Sequence, residues 1–373
     1  MTPSTPALVD VEGVRARVDA VLARHVAQLR TVLAAASDDA DELADAVAQM
    51  LSGGKRLRAA FCYWSWRAHG GRAGGPEADA VIRVGAALEL FQAAALFHDD
   101  VMDDSDTRRG FPAAHRAFAR LHTARALTGD PERFGMSAAI LLGDLTLVAS
   151  EQEFAGALAT QPVQRAEQAR AVFDLMRTEV TVGQYLDVLA QALPWGDDPV
   201  ADEVRSREVI RAKAARYSVE HPITLGAALA DAGEANLAAC RALGLPLGEA
   251  FQLRDDLLGV FGDPVTTGKP AGDDLREGKR TVLTARAVAR ARATGDEATV
   301  TLLRTRLGDR TLTESDVTQL ADAIKATGAG DDIEQLIEGL AGTAFELMDE
   351  CHWPDPAREQ LVGLAHAAVD RRA

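Results

Sequence analysis

The sequence predicts an all-α protein built as one large helical bundle, and three observations carry that expectation. Apolar residues recur at helical spacing from the first tens of residues almost to the end. No Pro/Gly/Ser-rich linker divides the 373 residues. Aromatic residues make up only 5% of a chain that is 47% hydrophobic, so Ala and Leu must do most of the packing, which favours closely packed helices. The length alone suggests two or three domains. The unbroken periodicity points instead to a single domain over residues 1–373, with a flexible start over residues 1–8.

In chain order, residues 9–36 and 39–52 read as amphipathic helices. Ser52-Gly53-Gly54-Lys55-Arg56-Leu57-Arg58 follows. Glycines before a basic cluster present backbone amides and cationic side chains together to a phosphate, and the same pattern suits a C-cap glycine before a surface turn. It is not a P-loop, because Arg56 stands where Ser or Thr is required after the Lys. A turn between Gly70 and Pro76 opens a long, mostly buried helix that includes Val81–Leu96 and carries Gln92. Residues 120–136 are polar and hold Gly129-Asp130-Pro131, so an irregular connection is expected there. Helices follow at about 135–160 and 163–193, the second with Gln184 and Asp187 at helical spacing. Pro194 to Pro199 ends it. The next helix, about 201–231, holds Lys213. Another from about 234 carries Phe251-Gln252-Leu253-Arg254-Asp255-Asp256-Leu257-Leu258-Gly259 and stops at Gly262 and Pro264. Residues 263–279, with Lys269 and Lys279, form a charged, Gly- and Pro-rich loop too long to be mere filler. Beyond Arg280 the helices read as structural, with a Thr313/Asp316 capping box and a break at Trp353-Pro354-Asp355-Pro356.

The chemistry centres on Phe97-His98-Asp99-Asp100-Val101-Met102-Asp103-Asp104-Ser105-Asp106-Thr107-Arg108-Arg109-Gly110. Asp99 and Asp103 are four apart, so their carboxylates share one helical face, one turn apart. Such a pair repels unless a hard divalent cation lies between, and magnesium, with its oxygen ligands and substrate phosphates, is the natural choice. Arg108 and Arg109 suit phosphate oxygens. A second aspartate pair, Asp255 and Asp256, also ends an apolar helix and is also followed by basic residues. If the two helices pack side by side, the carboxylates face one another across the mouth of a central apolar cavity. That arrangement would bind a diphosphate through metals, with a hydrocarbon tail below, and would assist its departure from an allylic carbon.

Bulk properties exclude other classes. A formal charge of −16 argues against a nucleic-acid footprint. Cys62, Cys240 and Cys351 are too few and scattered for a disulfide framework or a zinc site, which fits a reduced, cytoplasmic compartment. The N-terminus lacks a signal pattern, and no uninterrupted apolar run reaches the ~18 residues a membrane span needs.

In the order of its motifs the chain resembles the trans-type isoprenyl diphosphate synthases, the polyprenyl synthetase family. The resemblance runs from Ser52-Gly53-Gly54-Lys55-Arg56 through His98-Asp99-Asp100-Val101-Met102-Asp103 to Gly268-Lys269-Pro270 and Glu277-Gly278-Lys279-Arg280-Thr281. It implies the isoprenoid synthase fold, three magnesium ions, a homodimer, and condensation of an allylic diphosphate with isopentenyl diphosphate. Carried over by position, Asp99, Asp103 and Asp255 ligate metal, with Asp100 and Asp256 in support. Arg108, Lys213 and Lys269 hold the allylic diphosphate beside Gln252. Lys55, Arg58, Gln92 and Arg109 hold isopentenyl diphosphate, and Gln184 and Lys279 complete the substrate-binding set. Two departures stand out. The second motif is usually DDxxD, but Gly259 takes its last place, and Ala214 follows Lys213 where many relatives have Thr. A class I terpene cyclase would share the first motif, but needs an Asn/Asp-x-x-Ser-x-x-x-Glu motif that Asp255 to Gly262 does not provide. A silent partner subunit would have lost carboxylates that both clusters keep.

Product length is expected from the helix bearing Asp99. Ala95 and Ala94 lie four and five residues before it, and relatives that stop early place a bulky aromatic there. Phe91 comes about one turn, ~5.4 Å, deeper, close to one isoprene unit. The expected product is geranylgeranyl diphosphate, with longer chains the alternative.

Overall fold

The computed structural model describes residues 10–196, 198–262 and 272–370. They form helices α1 (Val14–Ala36), α2 (Asp41–Leu51), α3 (Leu57–Ala68), α4 (Gly75–Met102), α5 (Ala114–Ala124), α6 (Pro131–Leu158), α7 (Val163–Ala192), α8 (Pro199–Val209) and α9 (His221–Leu229). Then come α10 (Glu234–Phe261), α11 (Asp273–Glu277), α12 (Val282–Ala293), α13 (Glu297–Arg306), α14 (Glu314–Ala326), α15 (Ala329–Glu350) and α16 (Ala357–Val369). A π-helical segment, Ile210–Glu220, joins α8 to α9. The one sheet among the described residues is a hairpin, β1 (Thr107–Arg108) with β2 (Phe111–Pro112). The all-α expectation holds. The chain divides into two compact units: residues up to 171 with 222–237 and 353–364, and residues 172–221 and 238–352 with those from 365 on.

In the first unit α4 packs against α1, α2, α3, α5 and α6. Its interior is rich in alanine, with Ala86, Ala87, Ala93 and Ala94 all buried, and small side chains let helices approach closely. Ser150 on α6 donates to the Ala87 carbonyl at 2.7 Å. At Gly143 of α6 a Cβ would stand 2.1 Å from His98 Nε2, so glycine makes room for the ring that precedes Asp99. The irregular stretch expected over 120–136 is much shorter. α5 reaches Ala124, and α6 begins at Pro131, capped by the Asp130 side chain, which accepts from the Glu132 amide at 3.0 Å. Asp-Pro is a helix start there. Phe134 then packs beside Phe118 and His122, so tertiary contacts hold a polar first turn in the helix.

No uninterrupted apolar run reaches membrane length, since Glu89 interrupts α4 and Asp144 interrupts α6, but these two helices come near it. α4 and α6 each contain a window of sufficient length and mean hydropathy, 1.6 and 1.3 respectively. In α4 that window is 78% buried within the protein, and the reason is its place among five neighbouring helices. In α6 it is 44% buried, and Met136, Ile140, Leu141, Leu147 and Val148 remain exposed.

In the second unit α12 packs on α8, α13 and α15, while α14 bridges α11, α13 and α15. The expected Thr313/Asp316 capping box opens α14. The single helix expected over 201–231 is continuous but changes to π geometry over Ile210–Glu220. Glycines meet this segment closely. A Cβ would lie 2.3 Å from Lys213 N at Gly183, 2.6 Å from Glu220 Cα at Gly244, and 2.3 Å from the Ala215 carbonyl oxygen at Gly248. π turns inside helices recur at functional sites.

Candidate functional site

In the first unit the site grows from the C-terminal end of α4. The Asp103 amide donates to the Asp99 carbonyl at 2.8 Å, which carries helical geometry one residue past Met102 and sets the two carboxylates a turn apart, as their spacing predicts. Gln92, Ala95 and Asp99 share partial exposure, whereas Phe91, Ala94, Asp100 and Asp103 are buried. At 100° per residue, Ala95 therefore shares the open stripe with Asp99, and Ala94 turns towards the core. The hairpin brings Arg108 back onto the motif: its Nε donates to Asp100 Oδ1 at 2.8 Å and its Nη2 lies 3.5 Å from Asp99 Oδ2.

The basic turn divides its labour. Arg56, which takes φ 52, is 5% exposed and structural. Its Nε donates to Asp19 at 2.8 Å, Nη1 to Glu89 at 3.1 Å, and Nη2 to the Leu51 carbonyl. Lys55 is exposed and Arg58 partly so. Arg109, at the tip of the hairpin, donates from Nη1 to the Met50 and Ser52 carbonyls at 2.8 Å each. It thereby satisfies backbone acceptors around the end of α2. Burial, and then the neighbouring Arg56, pull its pKa below the ordinary guanidinium value. Around the turn, Arg56 and Arg109 are thus engaged by the protein itself, and α2 is capped at Ser52 in extended geometry rather than at a glycine.

The second unit holds the other half of the expected set. Gln252 donates to Asp256 Oδ1 at 2.8 Å. Burial, and next the charge of Asp274, push the Asp256 carboxyl up to about 7. Lys213, on the π segment, is held by Asp187 at 2.5 Å, and Gln184, one helical turn before Asp187, is partly buried. Lys279 Nζ lies 3.2 Å from Asp274 and 2.7 Å from Glu277. Lys269 lies outside the described residues. Two residues left out of the expected site stand beside it here, Asp187 and Asp274. Asp187 carried the signal of helical spacing with Gln184. For Asp274 the only signal was the missing carboxylate at 259.

Hard oxygen donors suit magnesium. Among the described residues no three His, Cys, Asp or Glu side chains converge to hold a metal. The carboxylate oxygens at the two helix ends are nonetheless of the chemical type that magnesium takes.

Helical architecture, carboxylate-rich helix ends and phosphate-suited cations accord with the all-α isoprenoid synthase fold. A profile of the polyprenyl synthetase family matches residues 40–324. A geranylgeranyl diphosphate synthase of Mycobacterium tuberculosis is 34% identical over 281 residues, covering 75% of this chain and 70% of the relative. A geranylfarnesyl diphosphate synthase of Aeropyrum pernix is 31% identical over 320 residues, 84% and 88% of the two chains. The solved geranylgeranyl pyrophosphate synthase of Corynebacterium glutamicum, complexed with isoprenyl diphosphate and magnesium, superposes with a TM-score of 0.88 at 36% identity, covering 98% of this chain and all of the other. The chain belongs to the polyprenyl synthetase family of prenyl-transferring enzymes.

Proposed function

We propose that this enzyme condenses an allylic diphosphate with isopentenyl diphosphate and releases geranylgeranyl diphosphate. In this reading Asp99, Asp103 and Asp255, supported by Asp100 and Asp256, hold three Mg2+ ions. When bound, these ions neutralise charge on the departing diphosphate. Arg108, Lys213 and Lys269 bind the allylic diphosphate near Gln252 and Gln184, and Lys279 joins them. Lys55, Arg58, Gln92 and Arg109 bind isopentenyl diphosphate. Asp187 fixes the ammonium of Lys213, so the charge is in place before the allylic C–O bond breaks. The new C–C bond forms at the terminal alkene carbon of isopentenyl diphosphate, and the proton then lost passes to the departing diphosphate.

The observation that carries the product assignment is the side-chain sequence of α4 below Asp99. Ala95, on the open stripe with Asp99, and Ala94, turned towards the core beside it, carry only methyl groups at the first turn, and the next large ring is the buried Phe91. Relatives of this similarity make products of different lengths, so residue choice on this helix is the natural place for the difference to lie. Ala94→Phe is expected to shorten the main product to farnesyl diphosphate and Phe91→Ala to lengthen it, read by chromatography of the dephosphorylated products. An unchanged distribution in both variants refutes the assignment.

The same reading includes a homodimer. The exposed apolar residues of α6, Met136, Ile140, Leu141 and Val148, recur at helical spacing and form a face suited to a second copy. A cytoplasmic location accords with the three cysteines, Cys62, Cys240 and Cys351, none of which forms a disulfide.

A further inference from the structure

We infer that Asp274 supplies the carboxylate that the second aspartate motif lacks at Gly259. The inference rests on the metal-binding reading of Asp255 and Asp256 proposed above. Residues 255 and 259 are four apart on α10, so a side chain at 259 would stand one turn beyond Asp255 on the same face, as Asp103 does beyond Asp99. The chain returns to that point. The Gly272 amide donates to the Gly259 carbonyl at 3.1 Å, and α11 begins one residue later. This places Asp274 Oδ2 only 2.0 Å from where a Cβ at 259 would be. The carboxylate of Asp274 thus fills the volume in which a 259 side chain would start, and glycine is the residue that lets it do so.

Asp274 is also held in place. Its other oxygen, Oδ1, accepts from Lys279 Nζ at 3.2 Å, and its carbonyl accepts from the Lys279 amide at 3.0 Å. Its side chain is 14% exposed, so the charge is partly withdrawn from bulk water and acts strongly on its surroundings. A carboxylate on α11 does for the metal's outer shell what a third aspartate on α10 would do. The competing role is simple orientation of Lys279 for substrate, and the two differ in one readout. Outer-shell charge changes cation affinity with no diphosphate present, whereas orientation of Lys279 does not.

The test is Mn2+ binding to the full chain without substrate, followed by the electron paramagnetic resonance signal of the free ion. Far-UV circular dichroism checks each variant's fold. Asp274→Asn is expected to weaken binding by about ten- to a hundredfold, the usual effect of removing an outer-shell partner. Gly259→Asp/Asp274→Ala moves the carboxylate back to α10 and is expected to recover most of the loss. Wild-type affinity in Asp274→Asn, or no recovery in a folded double variant, overturns the inference. Asp255→Asn is the control for the underlying reading. If it too leaves affinity unchanged, the metal assignment of the motif fails. If it weakens Mn2+ binding while Asp274→Asn does nothing, only the inference fails.

Discussion

At the scale of single residues, the electrostatics of the two aspartate clusters differ in kind. Asp100 is fully buried and receives Arg108, so its charge is compensated within the protein. Asp256 is buried with Asp274 as its strongest charged neighbour, and its carboxyl is pushed up to about 7 from a reference value of 3.8. The sign of the consequence follows from linkage. Between the unfolded and folded values the folded state binds the extra proton, so metal-free stability falls as pH rises from about 4 towards 7. A cation favours the ionised form and opposes that loss. The stabilisation given by Mg2+ is therefore expected to be larger at pH 8 than at pH 6 in thermal melts, and Asp256→Asn is expected to flatten the difference. Equal stabilisation at both pH values in the wild type contradicts this. For the first cluster, Asp103→Ala is expected to lower turnover by orders of magnitude while the fold persists, because removing one of two like charges relieves repulsion. Near-normal turnover excludes Asp103 as a metal ligand.

At the scale of elements, the contact between α7 and the π segment sets the position of Lys213. Two ion pairs flank the close approach at Gly183: Asp187 with Lys213, and Glu179 with Arg216. Gly183→Ala places a methyl group where Lys213 N stands 2.3 Å away, and the backbone must yield. A loss of about 1–3 kcal/mol of stability is expected, the usual cost of overpacking. The allylic KM should rise while the KM for isopentenyl diphosphate is spared. A variant with wild-type melting and kinetics contradicts the arrangement. The π geometry was not legible in the sequence, because its close contacts are glycines on α7 and α10, remote along the chain. By contrast, α4 and α10 were legible from unbroken apolar periodicity and their Gly and Asp ends. The stretch 120–136 was misread because Gly-Asp-Pro serves equally as a loop and as a helix start. Likewise, spacing alone set Asp99 and Asp103 one turn apart at the end of α4. Asp274 reaches its place by a return of the chain, which no local pattern records.

At the scale of the whole molecule, the exposed face of α6 is the surface proposed above for self-association. Leu141→Glu, at a residue 61% exposed, is expected to convert a dimer to monomer in sedimentation velocity with little change in folding. A wild-type protein that sediments as a monomer contradicts the assignment. The central claim is the reaction itself, and one measurement reaches it directly. Purified wild-type enzyme is incubated with farnesyl diphosphate, isopentenyl diphosphate and Mg2+, and the products are identified by mass spectrometry. Geranylgeranyl diphosphate as the main product, formed only with both substrates and the metal, is the expected result. Failure to consume isopentenyl diphosphate, or a main product other than the chain one unit longer than the primer, contradicts the account.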